Sequence, residues 1–429
     1  MSEAGRSIEV YADWIGLESA TRLGKLSVQA PRGKEIFSFE YDATWLGRDD
    51  NRILDPDLRF YKGPQYAGSG KSNFGLFLDS SPDRWGRVLM RRREAIMARK
   101  ERRTPRSLGE SDYLLGVHDK NRMGALRFKV PGSEAYQSSD TAMAAPPWST
   151  LRDLEYASFL AEHEEDDAKL DPWLAMLIAP GSSLGGARPK ASVIDGKGEL
   201  WIAKFPGKDD ERDWGAWEML VADLARAAGI EMSECRVDSF SKRGSTFMTK
   251  RFDRQGEGRI HFASAMTLLG RTDPATSGRV SEDGDNADTG ASYLELAEFI
   301  MRGGSRPDAD LRELWKRIVF SIAVSNTDDH LRNHGFLLDT KGWRLSPAYD
   351  INPSPDSAGL SLAIDEHDNS LDFGLALSVA PYFRLSKPEA VSIIGMIQGA
   401  VSTWRERAKT LGIARKEIER MTRAFKNPH

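Results

Sequence analysis

The sequence has few of the features that mark secreted, membrane-spanning or repeat proteins. Its 429 residues include one cysteine, Cys235, which excludes an intramolecular disulfide and a cysteine-rich metal site. No window approaches the ~18 consecutive apolar residues of a membrane helix, and the segment from Met1 to Tyr11 holds no apolar run. No internal repeat is visible. We therefore expect a protein of the reducing cytoplasm with no membrane segment.

An excess of charge of one sign is lacking as well. Lysine and arginine number 60 against 64 aspartate and glutamate, so the net charge of -4 does not indicate a nucleic-acid or membrane coat protein. The local exception is residues 84–106, a helical pattern with ten basic and two acidic residues. This basic stretch could contact DNA phosphates, a protein partner or a tRNA-bound target. The alternative is a solvated helix face, and the shortage of aromatic residues does not support sequence-specific binding.

The hydrophobic and turn patterns divide the chain into four parts. We predict an α+β subdomain over 1–130, a Pro-, Gly- and Ser-rich linker over 131–149, a strand-rich region with a Gly-rich turn over 150–255, and a mainly helical region over 256–429. Alternating apolar and polar residues predict strands near 8–11, 24–28 and 36–41, and strand-like runs are found at 190–194, 200–205, 246–252, 335–338 and 343–345. Helices are predicted over 151–163, 172–179 and 214–228, and a mobile polar loop over 271–290.

The strongest chemical signal is a polar segment at 326–333, Asn-Thr-Asp-Asp-His-Leu-Arg-Asn. Asp328 and Asn333 have the Asp-x-x-x-x-Asn spacing of a kinase catalytic loop, in which the carboxylate accepts the proton of the attacking hydroxyl. Asp350 follows 22 residues after Asp328, across a predicted hairpin, where a further Mg²⁺ ligand is expected. Taken alone the segment would be interpreted as a polar turn. Its combination with the features upstream favours phosphoryl transfer.

Two upstream features fit the same chemistry. A Gly-rich turn at 181–186 leads towards Lys190, and glycines let backbone N–H groups approach phosphates closely. The turn does not match G-x-x-x-x-G-K-[ST], and a plain turn is the alternative. Lys204 interrupts an apolar strand pattern, where burial of an ammonium is costly unless an anion meets it. Nucleotide phosphates and Glu218 on the following helix are the candidate anions, and a surface lysine on an edge strand is the alternative.

Taken in order, these motifs resemble those of the HipA-type toxin serine/threonine kinases. The resemblance covers about residues 180–355, in Ser-x-Gly-Gly-Ala-Arg-Pro-Lys (183–190), Ile-Ala-Lys-Phe-Pro (202–206), Thr-Lys-Arg-Phe-Asp-Arg (249–254), the 326–333 segment and Pro-Ala-Tyr-Asp-Ile (347–351). The N-terminal third is similar to the family's N-terminal subdomain through less specific motifs. The resemblance implies an α+β fold, with a bilobal protein-kinase-like part, a small N-terminal α+β subdomain and a mainly helical C-terminal lobe.

The resemblance also implies roles for the matching residues. Asp328 would be the catalytic base, and Asn333 and Asp350 would hold Mg²⁺. Ser183 would be the serine that the kinase phosphorylates to switch itself off, with the neighbouring Ser182 as a rival acceptor. The implied ATP-binding residues are Gly185, Gly186, Ala187, Arg188, Lys190, Lys204, Lys250, Arg251, Phe252, His330, Asn333, Tyr349 and Asp350, with Phe252 beside the base. Lys250 departs from the family, which often has Glu at this hinge position.

The function implied by the resemblance is the toxin of a type II toxin-antitoxin pair that arrests growth by phosphorylating a translation-related protein. A small DNA-binding antitoxin would be its partner, and aminoacyl-tRNA synthetases are the family's target class. Two alternatives stay open, a catalytically weak subunit of an antitoxin-DNA repressor complex and a small-molecule kinase on the same fold. Two motifs are weaker candidates for metal binding: Asp372-Phe373-Gly374 lies too far from Asp328, and 283–288 lacks the glycine of an EF-hand loop.

Overall fold

The computed structural model describes residues 5–140, 145–163, 174, 177, 186–272, 290–356 and 358–425. Several sequence predictions lie outside these residues: Ser182, Ser183 and Gly185 of the Gly-rich turn, the 172–179 helix apart from Leu174 and Leu177, most of the 271–290 loop, and the 283–288 segment. Within the described ranges, no helix has both the length and the apolar character needed to cross a bilayer.

The N-terminal part is built on a five-stranded antiparallel sheet. Its strands are β1 (Arg6–Ala12), β2 (Thr21–Gln29), β3 (Ile36–Tyr41), β4 (Gln65–Tyr66) and β5 (Leu126–Lys129), in the order β4-β3-β2-β1-β5. Four helices occur between β3 and β5 in the chain, namely α1 (Ala43–Leu46), α2 (Gly75–Leu78), α3 (Arg84–Lys100) and α4 (Glu110–Gly116). Every second residue of β1 from Ile8 to Ala12 is fully buried, which is the period of a sheet with one covered face.

A four-stranded antiparallel sheet forms the smaller lobe of the kinase-like part. It contains β6 (Lys190–Ile194), β7 (Leu200–Lys204), β8 (Cys235–Ser241) and β9 (Gly244–Lys250), in the order β6-β7-β9-β8. Helix α5 (Leu151–His163) precedes this sheet, and α6 (Trp214–Ala227) follows β7 and packs against β9. Because β7 is paired on both sides, Lys204 does not lie on an edge strand, and that alternative is excluded.

The larger lobe is mainly helical. Its helices are α7 (Ala265–Leu268), α8 (Tyr293–Gly303), α9 (Pro307–Val324), α10 (Phe373–Val379), α11 (Lys387–Ser402), α12 (Trp404–Thr410) and α13 (Arg415–Arg420). Two small sheets accompany them, the hairpin of β10 (Arg254–Gln255) with β11 (Gly258–Arg259), and the sheet of β12 (Phe262–Ser264), β13 (Gly335–Leu338) and β14 (Trp343–Leu345). Helix α9 is buried along most of its length and ends at Val324, and the left-handed backbone of the C-cap residue Ser325 directs the chain into the 326–333 segment.

Helix α3, which carries the basic stretch, joins the N-terminal part to the smaller lobe. Trp85, Leu89 and Ile96 are buried in one apolar cluster with Trp201 and Phe205. The basic side chains of this amphipathic helix lie mostly on its other side, so the solvated-face interpretation applies to one side only. The helix ends at Lys100, before the end of the basic stretch, because the chain turns through a left-handed residue at Arg102.

The predicted fold class is confirmed: the chain is an α+β protein with a bilobal kinase-like part, an N-terminal α+β subdomain and a mainly helical C-terminal lobe. The strands at 36–41, 190–194, 335–338 and 343–345 begin and end at the predicted residues. Strands β5 and β8 were not predicted, and β8 contains no fully buried residue that would mark a covered face. The domain limits stay predictions. The start of the predicted linker packs on the N-terminal sheet, where the backbone N–H of Gln137 donates to the backbone oxygen of Phe128 over 2.7 Å.

Candidate functional site

The centre of the site is a buried ammonium between two carboxylates. The Nζ of Lys204 lies 2.5 Å from Oε1 of Glu218 and 2.7 Å from Oδ1 of Asp350. These residues come from β7, from α6 and from the chain after β14, so three separate elements meet at one charged group. The contact of Lys204 with Glu218 was predicted from sequence. The direct contact with Asp350 was not.

The charges at this centre depend on each other. Burial would lower the pKa of the Lys204 ammonium, but the carboxylates of Asp350 and Glu218 raise it. Burial would raise the pKa of Asp350, yet the Lys204 ammonium outweighs this effect and lowers it to about 2. Burial raises the pKa of Glu218, which shares the ammonium with Asp350. Lys204 and Asp350 are therefore both ionised at neutral pH.

A largely apolar cleft opens beside Lys204. It encloses about 630 Å³, counting the space that is open to solvent, which is within the range of small-molecule sites. Its lining residues are Met123, Ile202, Lys204, Glu218, Ala222, Met232, Cys235, Phe247, Thr249, Lys250, Arg251, Phe252, Ala348, Tyr349, Asp350 and Ile351. The rings of Phe252 and Tyr349 pack with centroids 5.5 Å apart. The cleft offers aromatic and aliphatic surface to a flat apolar group, and the charged side chains of Lys204, Glu218 and Asp350 also line it.

The 326–333 segment forms a loop that is closed by its own hydrogen bonds. The Nδ2 of Asn333 donates to the backbone oxygen of Asp328 over 2.8 Å, and the backbone N–H of Asn333 donates to the oxygen of His330, also over 2.8 Å. The ring Nδ1 of His330 is buried and makes no hydrogen bond with a described residue. The loop is held by the side chain of Asn333 and by backbone bonds.

The two adjacent aspartates of this loop, Asp328 and Asp329, lie in different environments. Asp329 is buried and accepts from Oη of Tyr293 over 2.5 Å, and it lies 3.1 Å from Nε2 of His334. Asp328 is exposed to solvent, and its carboxylate accepts no hydrogen bond from a described residue. Partial desolvation by the surrounding protein raises the pKa of Asp328, and the nearby Asp350 carboxylate adds to this rise. Asp328 is thus the carboxylate that an incoming hydroxyl could reach.

The backbone at Asp350 adopts a left-handed conformation with φ +57, which is uncommon outside glycine. The following residues hold this turn in place. The backbone N–H of Asn352 donates to Oδ1 of Asn326 over 3.0 Å, and Nδ2 of Asn352 donates to Oδ1 of Asp350 over 3.3 Å. Asn326 therefore ties the turn that carries Asp350 to the loop that carries Asp328.

The described end of the Gly-rich turn is occupied by ion pairs within the protein. Gly186 and Ala187 are exposed. The guanidinium of Arg188 pairs with Asp210 at 2.5 Å, and Nζ of Lys190 donates to Asp83 and to the backbone oxygen of Gly186, both over 2.8 Å. The cationic groups predicted to meet phosphates here are thus already paired with protein groups.

Residues 250–252, the hinge segment implied by the resemblance, border the cleft, but the cations of Lys250 and Arg251 pair with protein groups. Lys250 Nζ lies 2.5 Å from Glu199. The buried guanidinium of Arg251 donates to both oxygens of Asp253, and to the backbone oxygens of Asn121 and Arg122 in the N-terminal part. The ring of Phe252 lines the cleft, and its place beside the base stays a prediction.

Several residues of the cleft were missed by the sequence analysis. Met123 comes from the N-terminal part, and Met232, Cys235 and Phe247 come from or near strands β8 and β9. The only signal in the sequence was the period of two in Phe247 and Thr249, which places both on one face of β9.

Asp372, the weaker candidate for metal binding, caps helix α10. Its side chain accepts a hydrogen bond from the backbone N–H of Gly374 over 2.7 Å.

The donor set fits a Mg²⁺-bound nucleotide. Mg²⁺ prefers oxygen ligands, and Asp350 offers an ionised carboxylate while Asn333 offers an amide oxygen that is free of hydrogen bonds with described residues. The apolar walls around Phe252 and Tyr349 suit a base, and the ammonium of Lys204 lies where phosphates would need a cation. No cluster of three or more His, Cys, Asp or Glu side chains that could hold a metal occurs among the described residues.

The chain is similar to one known protein family and to two curated proteins. A family model described as HipA-like C-terminal domain matches residues 182–427. The chain is 28% identical over 233 residues to Y4dM of Sinorhizobium fredii, provisionally named as a kinase, with 48% of this chain and 54% of that protein covered. It is also 28% identical over 193 residues to a protein of Haemophilus influenzae, likewise provisionally named as a kinase, with 41% and 54% covered. The chain thus spans about half the length of these curated relatives.

A solved structure extends the comparison to the whole chain. A chain from the complex of the Shewanella oneidensis MR-1 toxin-antitoxin system HipA, HipB and its operator DNA superposes with a TM-score of 0.66. The match covers 97% of this chain and 94% of that chain at 18% sequence identity. At this identity the likeness shows that the two chains share a fold, including the N-terminal part that the family model does not cover.

Proposed function

We propose that this chain, which belongs to the family of proteins with a HipA-like C-terminal domain, is an ATP- and Mg²⁺-dependent protein kinase acting on serine or threonine hydroxyls. One observation carries the proposal: Lys204, Glu218 and Asp350 form a buried ion triad beside an apolar cleft, and Asp350 is tied to the loop of Asp328 and Asn333. This arrangement supplies the cation, the metal ligands and the base that phosphoryl transfer requires.

In the proposed reaction the hydroxyl oxygen of the acceptor attacks the γ-phosphorus of ATP. The bond from that phosphorus to the β-γ bridging oxygen breaks, and ADP leaves with the electron pair. Asp328 orients the hydroxyl and accepts its proton, while Asn333 holds the backbone of Asp328 in place. Mg²⁺ held by Asp350 and Asn333 would neutralise charge on the phosphates. The exposed carboxylate of Asp328 and the enclosed one of Asp329 support this assignment of roles.

The biological role that fits the family is the toxin of a type II toxin-antitoxin pair in the cytoplasm. Its partner would be a small DNA-binding antitoxin, and its target a translation-related protein such as an aminoacyl-tRNA synthetase. The likeness to a chain from a toxin, antitoxin and operator DNA complex supports this role at the level of the fold. Phosphorylation of Ser183 by the kinase itself would switch the protein off, because a group of about -2 charge would be repelled from the phosphate site.

The decisive experiment is transfer of labelled phosphate from ATP to the proteins of a cell extract by the purified chain. We expect a labelled protein band that depends on Mg²⁺ and is absent with Asp328→Asn. Label in small molecules alone would favour the small-molecule kinase. Absence of any transfer, together with retained antitoxin and DNA binding, would favour the repressor subunit.

A further inference from the structure

A buried carboxylate of the N-terminal part is bound to the end of a strand in the larger lobe. Asp79, the C-cap residue of α2, accepts from the backbone N–H of Ser264 over 2.7 Å and from the hydroxyl of the same residue over 2.8 Å. The two residues are only 3% and 2% exposed, and they lie 185 positions apart in the chain. These bonds therefore fix the last residue of β12 relative to the N-terminal part.

Ser264 is connected in turn to the residues that follow the 326–333 loop. It pairs in register with Gly335, the first residue of β13. The next residue, Ala265, donates its backbone N–H to the backbone oxygen of His334 over 2.8 Å. The chain therefore leaves the loop at a place that is set by Ser264 and its neighbour.

Helix α7 gives a second contact between the same two parts. It begins directly after Ser264 and packs both against α2 and against the 3-10 turn Leu331–Asn333, which is the end of the loop. A Cβ atom on Gly75 of α2 would lie 2.6 Å from Oγ1 of Thr267 in α7. The two helices are thus closer together than a side chain at position 75 would permit.

We propose that Asp79 is a positioning residue for phosphoryl transfer, which holds Ser264 and α7 where the 326–333 loop needs them for the alignment of Asp328. The proposal rests on the proposed function, since it gives Asp79 an effect on the reaction of the proposed base. Asn333 at the end of the loop holds the backbone of Asp328, so a displaced loop end would displace the base. Neither Asp79 nor Ser264 lines the cleft, so nucleotide affinity should not depend on them.

An uncharged amide could replace the carboxylate of Asp79. Burial raises the pKa of Asp79, although the N–H of Ser264 and the guanidinium of Arg332 act in the opposite direction. In Asp79→Asn the amide oxygen can accept from the N–H of Ser264, and the amide NH₂ can donate to the Ser264 hydroxyl. That hydroxyl can then donate to Oγ1 of Thr267, which lies 3.3 Å away. Asp79→Asn therefore keeps both contacts, whereas Asp79→Ala loses both.

The alternative is that Asp79 only attaches the N-terminal part to the larger lobe. Its loss would then lower the stability of the chain, but each folded molecule would transfer phosphate at the normal rate. Gln65→Ala is the matched control for this alternative. Gln65 is also 3% exposed and makes two hydrogen bonds with the backbone of Arg59, over 2.6 and 2.9 Å, which stay within the N-terminal part.

The experiment is transfer of label from ATP to the proteins of a cell extract under single-turnover conditions, with the full chain in excess over ATP and with Mg²⁺. Calorimetric titration with a non-hydrolysable ATP analogue counts the binding-competent molecules. For each binding site we expect Asp79→Ala to transfer phosphate about tenfold more slowly, since a misplacement of about 1 Å can cost ~10²-fold. Its Kd should change by less than about threefold. Asp79→Asn should recover most of the rate, and Gln65→Ala should keep the wild-type rate.

Hydrogen exchange over 326–338 gives a readout that does not depend on transfer. We expect faster exchange in this segment for Asp79→Ala than for the wild type, and no change for Gln65→Ala. If Asp79→Ala fails to fold, Ser264→Ala removes one of the two bonds and should slow transfer by about threefold. If it folds, the double variant Asp79→Ala/Ser264→Ala should be no slower than Asp79→Ala, because the two residues act as one unit.

The outcomes separate this inference from the proposed function. A wild-type rate per binding site for Asp79→Ala, or for Ser264→Ala where Asp79→Ala does not fold, would overturn the role of Asp79 and leave the kinase proposal standing. An equal loss of rate in Gln65→Ala, or unchanged exchange over 326–338, would also overturn that role. A wild-type chain that neither binds nucleotide nor transfers phosphate would contradict the proposed function itself, and the inference with it.

Discussion

The side-chain amide of Asn333 donates a hydrogen bond to the backbone carbonyl of Asp328, with Nδ2 and O 2.8 Å apart. This bond fixes the backbone of Asp328 while it leaves the Asp328 carboxylate exposed and unbonded to the described residues. The same contact turns the amide oxygen of Asn333 away from Asp328. One residue can therefore position the base and offer a metal ligand at the same time.

Replacement of Asp328, the proposed catalytic base, should impair phosphotransfer and leave nucleotide binding nearly unchanged. We expect Asp328→Asn to reduce phosphotransfer by at least ~10²-fold, because the amide cannot accept the proton of the hydroxyl. Nucleotide affinity should change by less than about threefold, since Asp328 contacts neither Lys204 nor the cleft wall. Calorimetric titration and a labelled-phosphate assay measure the two effects. Transfer at the wild-type rate would remove Asp328 from the mechanism.

Asp350→Ala should abolish both ATP binding and phosphotransfer. The substitution removes the metal ligand and also leaves Lys204 paired with Glu218 alone. Mg²⁺-dependent binding of ATP and phosphotransfer should therefore both be lost. Asp372→Ala is the control, because Asp372 caps α10 and should be dispensable for binding. If Asp372→Ala eliminated Mg²⁺-dependent binding while Asp350→Ala retained it, the choice of the metal ligand would be wrong.

Self-phosphorylation should occur on Ser183. Mass spectrometry of protein produced with active kinase should show phosphate on Ser183 and none in the Asp328→Asn variant. The modified form should bind ATP more weakly, because about -2 charges then occupy the Gly-rich turn. Ser182→Ala is the matched control and should retain the modification. Phosphate on Ser182 alone, or unchanged ATP binding by the modified form, would contradict the switching hypothesis without touching the kinase assignment.

The buried carboxylate of Asp253 should contribute to stability above about pH 4. Burial would raise the pKa of Asp253, but the guanidinium groups of Arg251 and Arg254 lower it to about 2, below the value of about 3.9 in the unfolded chain. A lowered folded pKa stabilises the protein above the unfolded pKa, and this contribution is lost as the pH falls through the folded pKa. It amounts to about 2–3 kcal/mol.

Urea unfolding between pH 7 and pH 2.5 measures this effect. Asp253→Asn should be less stable at pH 7, because two buried cations lose their partner, and its stability should fall less steeply in acid. The exposed Asp49→Asn should follow the wild-type curve. An acid profile of Asp253→Asn that runs parallel to the wild type would show that Asp253 does not carry the charge assigned to it.

The kinase-like part could be predicted well because its signals are local. The strand at 190–194 follows from a short run after a Gly-rich turn, and the spacing from Asp328 to Asn333 fits one loop. The partnership of Lys204 with Glu218 was also accessible, because a lysine in an apolar strand needs a nearby anion. Such features depend on neighbours in the chain or on the cost of burying one group.

Other features required the folded chain. Asp328 and Asp329 are adjacent and chemically identical, and only the packing of Tyr293 and His334 around Asp329 decided which carboxylate stays accessible. Strand β8 was missed because none of its residues is fully buried and its alternation ends at Asp238, where the pairing with β9 is irregular. The sequence alone does not show which of the two aspartates is accessible, or that β8 is a strand.

The sequence by itself determined the chemical groups of this protein, their order along the chain and the local elements that carry them. The tertiary structure alone decided which of the many cations are free and which are paired: Lys190 with Asp83, Arg188 with Asp210, and Arg251 with Asp253. The physical reason is that an ion pair forms between groups brought close in space and desolvated together, and in the case of Asp83 and Lys190 those groups lie 107 residues apart.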